Sequence, residues 1–380
     1  MIDRAALYLA TAEDLNVAQA PVAHRPLGFR AIAAAIRAGA CTVYVPAALQ
    51  ETAIATAIAA SPRARSAVVW LKDGEMPEPG PLLLVPAAVV IPAEVLRTTL
   101  GAPGASVAAP AALDAPAISV DARLAGTLGS ALGAGTPLAA ELARTGIRPT
   151  VDTRCIAARD ADGRATAARI LHASLGSAID TRLDVHLHRR FSRHVTRAAI
   201  ALGITPNTIT VASLVLGLAA VACFWRATPA SALAGLIIYV VAVILDHADG
   251  EVARLTLTES RLGSWLDTVA DTLVHALSVV AMGVTSETVT GTGMQLGVVG
   301  AAGIVASAFV AKWWPPRGTT GMAGTVEDMG SRDGFYALLL LFIALRTFAP
   351  SLLPLLMIVV MLGSNAYWVV RAGLAVLGRG

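Results

Sequence analysis

The sequence predicts a polytopic α-helical membrane domain fused to an N-terminal α/β soluble domain, and two observations support this fold class. Hydrophobic residues make up 56% of the 380 residues and charged residues only 14%, against about 25% charged in an average soluble domain. The apolar residues are also unevenly distributed, since residues 1–190 mix short apolar runs with charges, glycine and proline, whereas long apolar stretches begin near Thr208. A bilayer is therefore expected to cover much of the second half, which excludes an ordinary soluble enzyme and a disordered chain.

Six stretches of the second half are predicted to be transmembrane helices, because several reach the ~20 residues that cross a bilayer core. They cover residues 208–225, 231–253, 263–284, 294–314, 333–348 and 351–374. The fifth stretch is short, and a re-entrant segment is the alternative there. An even number of spans predicts that both termini lie on the same side of the membrane.

The distribution of basic residues predicts the orientation. The loops and tail on one side carry Arg189, Arg190, Arg193, Arg197, Arg254, Arg261, Lys312, Arg317, Arg332, Arg371 and Arg379. The opposite loops carry Arg226 and Arg346. Because basic residues accumulate on the cytoplasmic side, both termini are expected in the cytoplasm and the protein in the inner membrane. The net charge of +3 is too small to indicate nucleic acid as a partner.

The first half is predicted to be an α/β domain over residues 1–175. Apolar runs of strand length cover residues 6–10, 42–46, 67–71 and 81–91, and residues 27–38 form an amphipathic helical pattern. This alternation predicts βαβ units and a mainly parallel sheet.

Two later stretches of the same half carry weaker patterns. Residues 101–137 are rich in alanine, glycine and proline and are expected to be loop or irregular helix. A small strand pair is expected over Arg154–Ala158 and Thr166–Arg169, turned at Asp160–Gly163.

Four carboxylates at the ends of the second and third predicted spans are the most informative feature. Asp246 and Asp249 are three residues apart, and Asp267 and Asp271 are four apart, so each pair shares one face of a helix. Ionisable residues within spans are costly and tend to have a function. If the two faces meet, a divalent cation would relieve the repulsion, and ligands that are all oxygen favour Mg²⁺ or Mn²⁺ over zinc. Such ions suit phosphate chemistry.

Small residues and an arginine lie between these acids. Gly250, Ala253 and Gly263 let a ligand or a neighbouring helix approach closely. Arg254 is suited to binding a phosphate. The alternative interpretation is a set of solvated helix-end acids, with the glycines and the alanine serving helix packing alone. The combination of all these positions favours a binding site.

These positions together resemble the signature of the CDP-alcohol phosphotransferase family. The signature reads Asp246-x2-Asp249-Gly250-x2-Ala253-Arg254-x8-Gly263-x3-Asp267-x3-Asp271 and is matched in full. The resemblance covers about residues 180–375 and implies a catalytic membrane domain over residues 208–380. Within residues 176–207 it implies a linker and a juxtamembrane amphipathic helix, a reasonable place for a basic helix on anionic headgroups.

The resemblance implies transfer of a phosphoalcohol group from a CDP-alcohol lipid, commonly CDP-diacylglycerol, to a small polar acceptor, with release of CMP. It implies two Mg²⁺ (or Mn²⁺) ions as cofactors, bound by Asp246, Asp249, Asp267 and Asp271. Asp271 would also be the general base. The implied CDP-binding residues are Asn207, Gly250, Ala253, Arg254 and Gly263. Membrane lipids and a second copy of the chain, in a homodimer, are the implied partners.

The acceptor is not determined by the sequence. A phosphorylated acceptor such as glycerol phosphate or inositol phosphate would need cations, and Arg193, Lys312 and Arg332 are candidates to bind it. The alternative for each is the positive-inside rule and contact with anionic lipid. Arg332 with Asp333 could equally form an ion pair or a helix cap.

The first half resembles nucleotidyltransferases, with Arg25-Pro26-Leu27 where such enzymes often have Lys-Pro-Leu. Those enzymes cradle a triphosphate in a glycine-rich loop, but residues 11–24 contain no glycine, and residues 85–89 lack the expected metal-binding aspartate. A degenerate scaffold or regulatory domain is therefore predicted. The domain order also resembles that of bifunctional enzymes that make CDP-inositol and join it to inositol phosphate. An inositol-phosphate-type phosphodiester synthase that uses CDP-inositol is therefore an alternative function.

Two other classes of function remain as alternatives. A transporter or flippase would disperse its acidic residues over several spans, whereas these acids cluster on two. A catalytically silent, nucleotide-sensing scaffold would not need an intact membrane signature. The intact signature favours an enzyme.

Overall fold

The uneven distribution of apolar residues along the chain is reflected in two structural units. The computed structural model describes residues 3–376 except 73–74, 76, 79, 103, 122–123, 126–127, 130–131, 133–136, 176–187 and 314–331. The first unit comprises Met1–Gly176 together with Ala253–Thr258, and the second comprises Ser177–Val252 together with Glu259–Gly380. Each unit has a large hydrophobic cluster of its own.

A mixed sheet forms the centre of the first unit. The strands of this unit are β1 (Arg4–Tyr8), β2 (Pro21–Val22), β3 (Arg25–Pro26), β4 (Thr42–Pro46), β5 (Val68–Leu71), β6 (Leu82–Pro86), β7 (Val89–Val90), β8 (Ser106–Ala109), β9 (Ala112–Val120), β10 (Thr150–Val151) and β11 (Ile156–Ala157). In the described residues the main sheet has the order β5-β4-β1-β6-β9-β8-β10. Its β5-β4-β1-β6 half is parallel, as predicted, whereas β9 runs antiparallel to β6 and β8.

The described helices of this unit include three that pack against that sheet, namely Leu27–Ala38, Ala93–Leu100 and Ala139–Arg144. The full set described is α1 (Asp14–Val17), α2 (Leu27–Ala38), α3 (Ala53–Ala59), α4 (Pro62–Ala67), α5 (Ala93–Leu100), α6 (Ala139–Arg144) and α7 (Ala161–Ala173). The prediction for α2 is confirmed at both ends, because its apolar residues recur at helical spacing and are buried, Phe29 and Ile32 fully so.

The expectation of loop or irregular helix over residues 101–137 is wrong for much of this stretch. Residues 106–120 form the hairpin β8–β9, and β9 pairs with β6. The strand contains Ala115, Ala117 and Ile118, all buried. Because both faces are covered, the strand does not show the polar–apolar alternation by which a half-exposed strand is recognised.

The expected strand pair around Asp160 is also wrong. Asp160 is the N-cap of α7, and its Oδ1 accepts a hydrogen bond from the Gly163 N–H at 2.6 Å. An aspartate before glycine suits both a turn and a helix start, and here the helix forms. β11 pairs instead with β7. The stretch 81–91, which was predicted to be one strand, is divided into β6 and β7.

A buried carboxylate forms hydrogen bonds with the backbone of the segment after β1. Asp14 is fully buried and accepts hydrogen bonds from the backbone N–H groups of Ala10 and Thr11 at 3.0 and 3.1 Å. The Nε and Nη2 atoms of Arg159 donate to the two oxygens of Asp14 at 3.0 and 3.3 Å. Arg159 Nη1 also donates to Asp114 Oδ1 at 3.0 Å. One arginine therefore joins the start of the sheet to β9.

The second unit is helical in its described residues. Its helices are α8 (Arg189–Leu202), α9 (Pro206–Trp225), α10 (Pro229–Thr256), α11 (Arg261–Thr290), α12 (Met294–Trp313), α13 (Arg332–Phe348) and α14 (Leu353–Val376). Five of them contain stretches long and apolar enough to cross a membrane, so the multi-pass architecture is confirmed. The apolar part of α13, Gly334–Phe348, is shorter than the others, and a sixth span there stays a prediction.

Glycines bring α11 close to its neighbours on both sides. A Cβ built at Gly217 on α9 would lie 2.5 Å from a methyl group of Val274 on α11. A Cβ built at Gly283 on α11 would lie 2.8 Å from the Cα atom of Gly297 on α12. Small residues allow such backbone approach between membrane helices, and they hold α11 in a narrow range of positions.

We expect Arg159→Ala to destabilise the first unit by about 3 kcal/mol, because it leaves the buried Asp14 carboxylate without its cation. Hydrogen exchange of the β1 and β6 amides, which reports opening of this unit, would measure the change in the full-length protein. The matched control is Arg154→Ala, since Arg154 pairs with Asp152 at the surface and the loss of an exposed ion pair should change stability far less. Equal effects of the two substitutions would contradict a structural role for the buried pair.

Candidate functional site

Three of the predicted carboxylates meet between α10 and α11. Asp246 on α10 and both Asp267 and Asp271 on α11 each offer an oxygen, and these three oxygens lie within 4.8 Å of one another. Asp246 is buried and the other two are half-buried. Residues four apart lie one helical turn apart on the same face, which explains why Asp267 and Asp271 point the same way. Three carboxylate oxygens form a donor set that fits a hard divalent cation such as Mg²⁺ or Mn²⁺.

Asp249 is placed differently from these three. It is buried, and its Oδ2 accepts a hydrogen bond from Thr210 Oγ1 on α9. Among the described residues it is not part of the group whose oxygens lie within 4.8 Å. The structure therefore brings together three of the four predicted metal ligands, and ligation by Asp249 stays a prediction.

Two of the predicted nucleotide-binding residues lie side by side, Asn207 at the start of α9 and Gly263 at the start of α11. A Cβ built at Gly263 would lie 3.2 Å from Asn207 Oδ1 and 3.2 Å from Ser260 Oγ. Ser260 is the N-cap of the helix, and its hydroxyl accepts a hydrogen bond from the Gly263 N–H at 2.9 Å. A side chain at position 263 would therefore crowd both Asn207 and the helix cap.

The other predicted nucleotide-binding residues lie along α10. Gly250 directly follows Asp249, whereas Ala253 and Arg254 belong to the segment that groups with the first unit. Gly250 belongs to the second unit, as do the three carboxylates.

The three predicted acceptor-binding cations have different surroundings. Lys312 Nζ donates to Ser264 Oγ at 3.3 Å and to Thr268 Oγ1 at 3.5 Å, and it lies 5.0 Å from the centroid of the Trp265 ring. Since Ser264 and Thr268 are close to Asp267 along α11, Lys312 lies beside the helix that carries two site carboxylates. Arg193 is exposed on α8. Arg332 begins α13, and its side chain lies outside the described residues.

Sequence reasoning missed Tyr239 and His275. With Asp246 and Asp271 these residues line a cavity of about 20 Å³, which is room for about one water molecule. The Tyr239 hydroxyl lies 2.8 Å from His275 Nε2. His275 follows Asp271 by four residues and Tyr239 precedes Asp246 by seven, so extending each acidic face by one or two helical turns would have found them.

Glu251 was also missed, because it occupies an unspecified position of the signature. It is 1% exposed and accepts hydrogen bonds from Ser192 Oγ and Thr196 Oγ1 on α8, both at 2.8 Å. Arg189 Nη1 lies 3.5 Å from its Oε1. This carboxylate fastens α8 to α10 next to Asp249 and Gly250. The four-residue spacing of Ser192 and Thr196 was the available signal for a polar face on α8.

Residues 203–364 match the family model described as CDP-alcohol phosphatidyltransferase. The chain is 38% identical over 89 residues to the bifunctional IPC transferase and DIPP synthase of Thermococcus kodakarensis, covering 23% of this chain and 19% of that protein. It is 32% identical over 121 residues to the protein of the same name from Archaeoglobus fulgidus, covering 31% and 24%. It is 39% identical over 80 residues to the CDP-diacylglycerol–serine O-phosphatidyltransferase of Mycobacterium leprae, covering 21% and 26%.

These matches span about a fifth to a quarter of the length of the curated relatives. The region matched by the family model contains the whole signature from Asp246 to Asp271 and also Asn207. The relatives are named as transferases and synthases. Residues 203–364 are therefore similar to a CDP-alcohol phosphatidyltransferase domain.

Proposed function

We propose that this protein transfers a phosphatidyl group, or a related phosphoalcohol group, from a CDP-alcohol such as CDP-diacylglycerol to an acceptor hydroxyl and releases CMP. The observation that carries the proposal is the group of three carboxylate oxygens within 4.8 Å, from Asp246, Asp267 and Asp271. It lies inside the region that matches the family model. The reaction would belong to phospholipid biosynthesis.

In this proposal Asp246, Asp267 and Asp271 hold a divalent cation, and Asp249 completes a site for two ions. A bound Mg²⁺ or Mn²⁺ would neutralise the diphosphate of the donor and the negative charge of departing CMP. Asp249 lies three residues from Asp246 on α10, and its bond from Thr210 orients its carboxylate in the free protein.

Asp271 is the proposed general base. It takes the proton of the acceptor hydroxyl while the hydroxyl oxygen attacks the phosphorus that bears the alcohol. The bond from that phosphorus to the oxygen shared with CMP breaks, and CMP leaves with the electron pair. Two observations support this role: Asp271 is half-buried at the edge of the carboxylate group, and it lines the cavity with His275 and Tyr239.

The proposed CDP-binding residues are Asn207, Gly250, Ala253, Arg254 and Gly263. The close approach of Gly263 to Asn207 supports this assignment, since any larger residue at 263 would occupy the same space. Arg254 would supply a guanidinium for phosphate. Lys312 is the best supported of the proposed acceptor-binding residues, because it lies beside Thr268 on α11. Arg193 and Arg332 complete the proposed acceptor set.

The first unit is proposed to be a nucleotidyltransferase-like domain that has lost catalysis. The backbone N–H groups of Ala10 and Thr11 follow the first strand, where a nucleotidyltransferase would bind phosphate. Here the Asp14 carboxylate accepts from both of them and is itself paired with Arg159. A negatively charged side chain in that place supports a role other than triphosphate binding.

The finer topology is part of the same proposal. We infer six spans including α13, an inner-membrane location, and both termini and the active site on the cytoplasmic side. The excess of arginine and lysine in the loops on that side supports this orientation. We also infer a homodimer, which the family resemblance implies.

The first test measures CMP release from CDP-diacylglycerol by the purified protein in detergent with Mg²⁺. Glycerol phosphate, inositol phosphate, serine and inositol would be supplied separately, and CDP-inositol would be tried as the second donor. Asp271→Asn should lower acceptor-dependent release by about 10² to 10⁴, the usual contribution of a general base. Glu287→Gln is the matched control, because Glu287 is exposed at the far end of the same helix. Equal rates for Asp271→Asn and the wild-type protein would refute the assigned role.

The second test counts Mn²⁺ bound to the purified protein by electron paramagnetic resonance. Asp246→Asn should weaken binding at least about tenfold, because a change at a metal site commonly costs that much affinity. Asp249→Asn should weaken the binding of one of two ions. Glu287→Gln again serves as the control. Unaltered Mn²⁺ binding in Asp246→Asn would exclude the proposed metal site.

A further inference from the structure

The end of α10 and the turn after it form part of the first unit. Ala253–Thr258 groups with Met1–Gly176, although residues 253–256 are the last turn of a helix that begins in the second unit. This 253–258 segment carries Ala253 and Arg254, two residues of the family signature. The first unit therefore contains two of the proposed CDP-binding residues.

Side chains of the first unit hold the segment by its backbone carbonyl groups. The bonds run from Arg37 Nη2 to Arg254 O (2.5 Å), from Arg30 Nη1 to Leu255 O (2.5 Å) and from Ser61 Oγ to Leu257 O (2.6 Å). These partners are 196 to 225 residues apart in sequence. Since every acceptor is a main-chain oxygen, the bonds fix the path of the backbone through the segment.

Two of these donors bond to carbonyl groups at the C-terminus of α10. The last four carbonyl groups of a helix have no partner within the helix, and cations are favoured there by the helix dipole. Arg30 and Arg37, both on α2, supply the guanidinium groups. Arg30 is 6% exposed and donates also to the carbonyl oxygens of Val22 and Ala23. Its guanidinium thus links three carbonyl oxygens at a fixed place in the first unit.

The backbone at Leu257 adopts a conformation that leucine disfavours, so other contacts must stabilise the turn. Its φ angle is +54°, a left-handed conformation that a bulky residue rarely adopts. Its side chain is fully buried in the main hydrophobic cluster of the first unit. Strained backbone persists where the surrounding structure over-determines it. Here burial of the leucine and the bond from Ser61 to its carbonyl provide that constraint.

We infer that the first unit is a positioning element for the donor nucleotide, in which Arg30, Arg37 and Ser61 hold the 253–258 segment in the conformation that binds the CDP group. The inference rests on the proposed function and deepens it, because it assigns a task to the α/β unit. Arg30 is a positioning residue, because it bonds to the Leu255 carbonyl oxygen and so acts through the backbone of the segment that carries Arg254. Residues 1–176 of the unit contribute to donor affinity by holding this segment, and the segment itself carries the nucleotide-binding residues.

Arg30→Ala in the full-length protein tests the inference. The KM for CDP-diacylglycerol should rise about tenfold, the effect of losing a charged hydrogen bond, while kcat stays within about threefold. Arg30→Lys should recover part of the loss, because it keeps one charged donor. Arg65→Ala is the matched control, since Arg65 is exposed on α4 and should leave both constants unchanged. A fall in kcat with an unchanged KM would overturn the inference.

Hydrogen exchange gives a readout that does not depend on activity. Amides of residues 253–258 should exchange faster in Arg30→Ala, while the β1 and β6 amides keep the wild-type rate. If Arg30→Ala leaves the exchange rates of residues 253–258 unchanged, the inference is overturned. Absence of CMP release by the wild-type protein contradicts only the proposed function, so the two failures are distinguishable. If Arg30→Ala raises the exchange rate throughout the first unit, the Ser61→Ala variant is measured as the deciding test. Faster exchange confined to 253–258 in that variant supports the inference, and its absence refutes it.

Discussion

The close grouping of Asp246, Asp267 and Asp271 is the constraint that the helix packing of the second unit has to accommodate. Their oxygens lie within 4.8 Å of one another on apolar helices, where like charges interact more strongly than in water. Such an arrangement requires helices that are held together by other contacts, and a proton or a cation can offset the repulsion. Close approach at Gly217 and Gly283 holds α11 against α9 and α12, and the hydrogen bonds of Glu251 hold α8 against α10.

Buried carboxylates have two different uses in this chain. Asp14 and Glu251 each meet an arginine and neutral donors supplied by the protein, and each fastens one element to another. The group at α10 and α11 instead gathers acids around one point. Buried charge is costly unless it is paired, so the first arrangement is complete within the protein, whereas the second has the donor set that suits a cation. The two kinds are indistinguishable by residue type, and only their neighbours separate them.

Helices and strands with a clear periodicity of apolar residues were predictable from the sequence, and those without such a periodicity were not. The helix Leu27–Ala38 and the strand Thr42–Pro46 match their predicted bounds, because each shows the spacing of its own secondary structure. The hairpin of β8 and β9 was missed because its alanine-rich strands are covered on both faces. The start of α7 was mistaken for a turn, since an aspartate followed by glycine serves either purpose. In both errors long-range packing overrode an ambiguous local pattern.

The sequence by itself determined which half of the chain enters the membrane and which helical faces carry the acids, because hydrophobicity and helical period are local properties. It thereby identified Asp246, Asp267 and Asp271 as neighbours. Only the tertiary structure decided that Asp249 bonds to Thr210, that Tyr239 and His275 extend the site, and that Arg30 caps the end of α10 at Leu255. These contacts join residues from 36 to 225 positions apart. Such pairings arise when helices and sheet pack into a close-packed interior, and no periodicity along the chain encodes them.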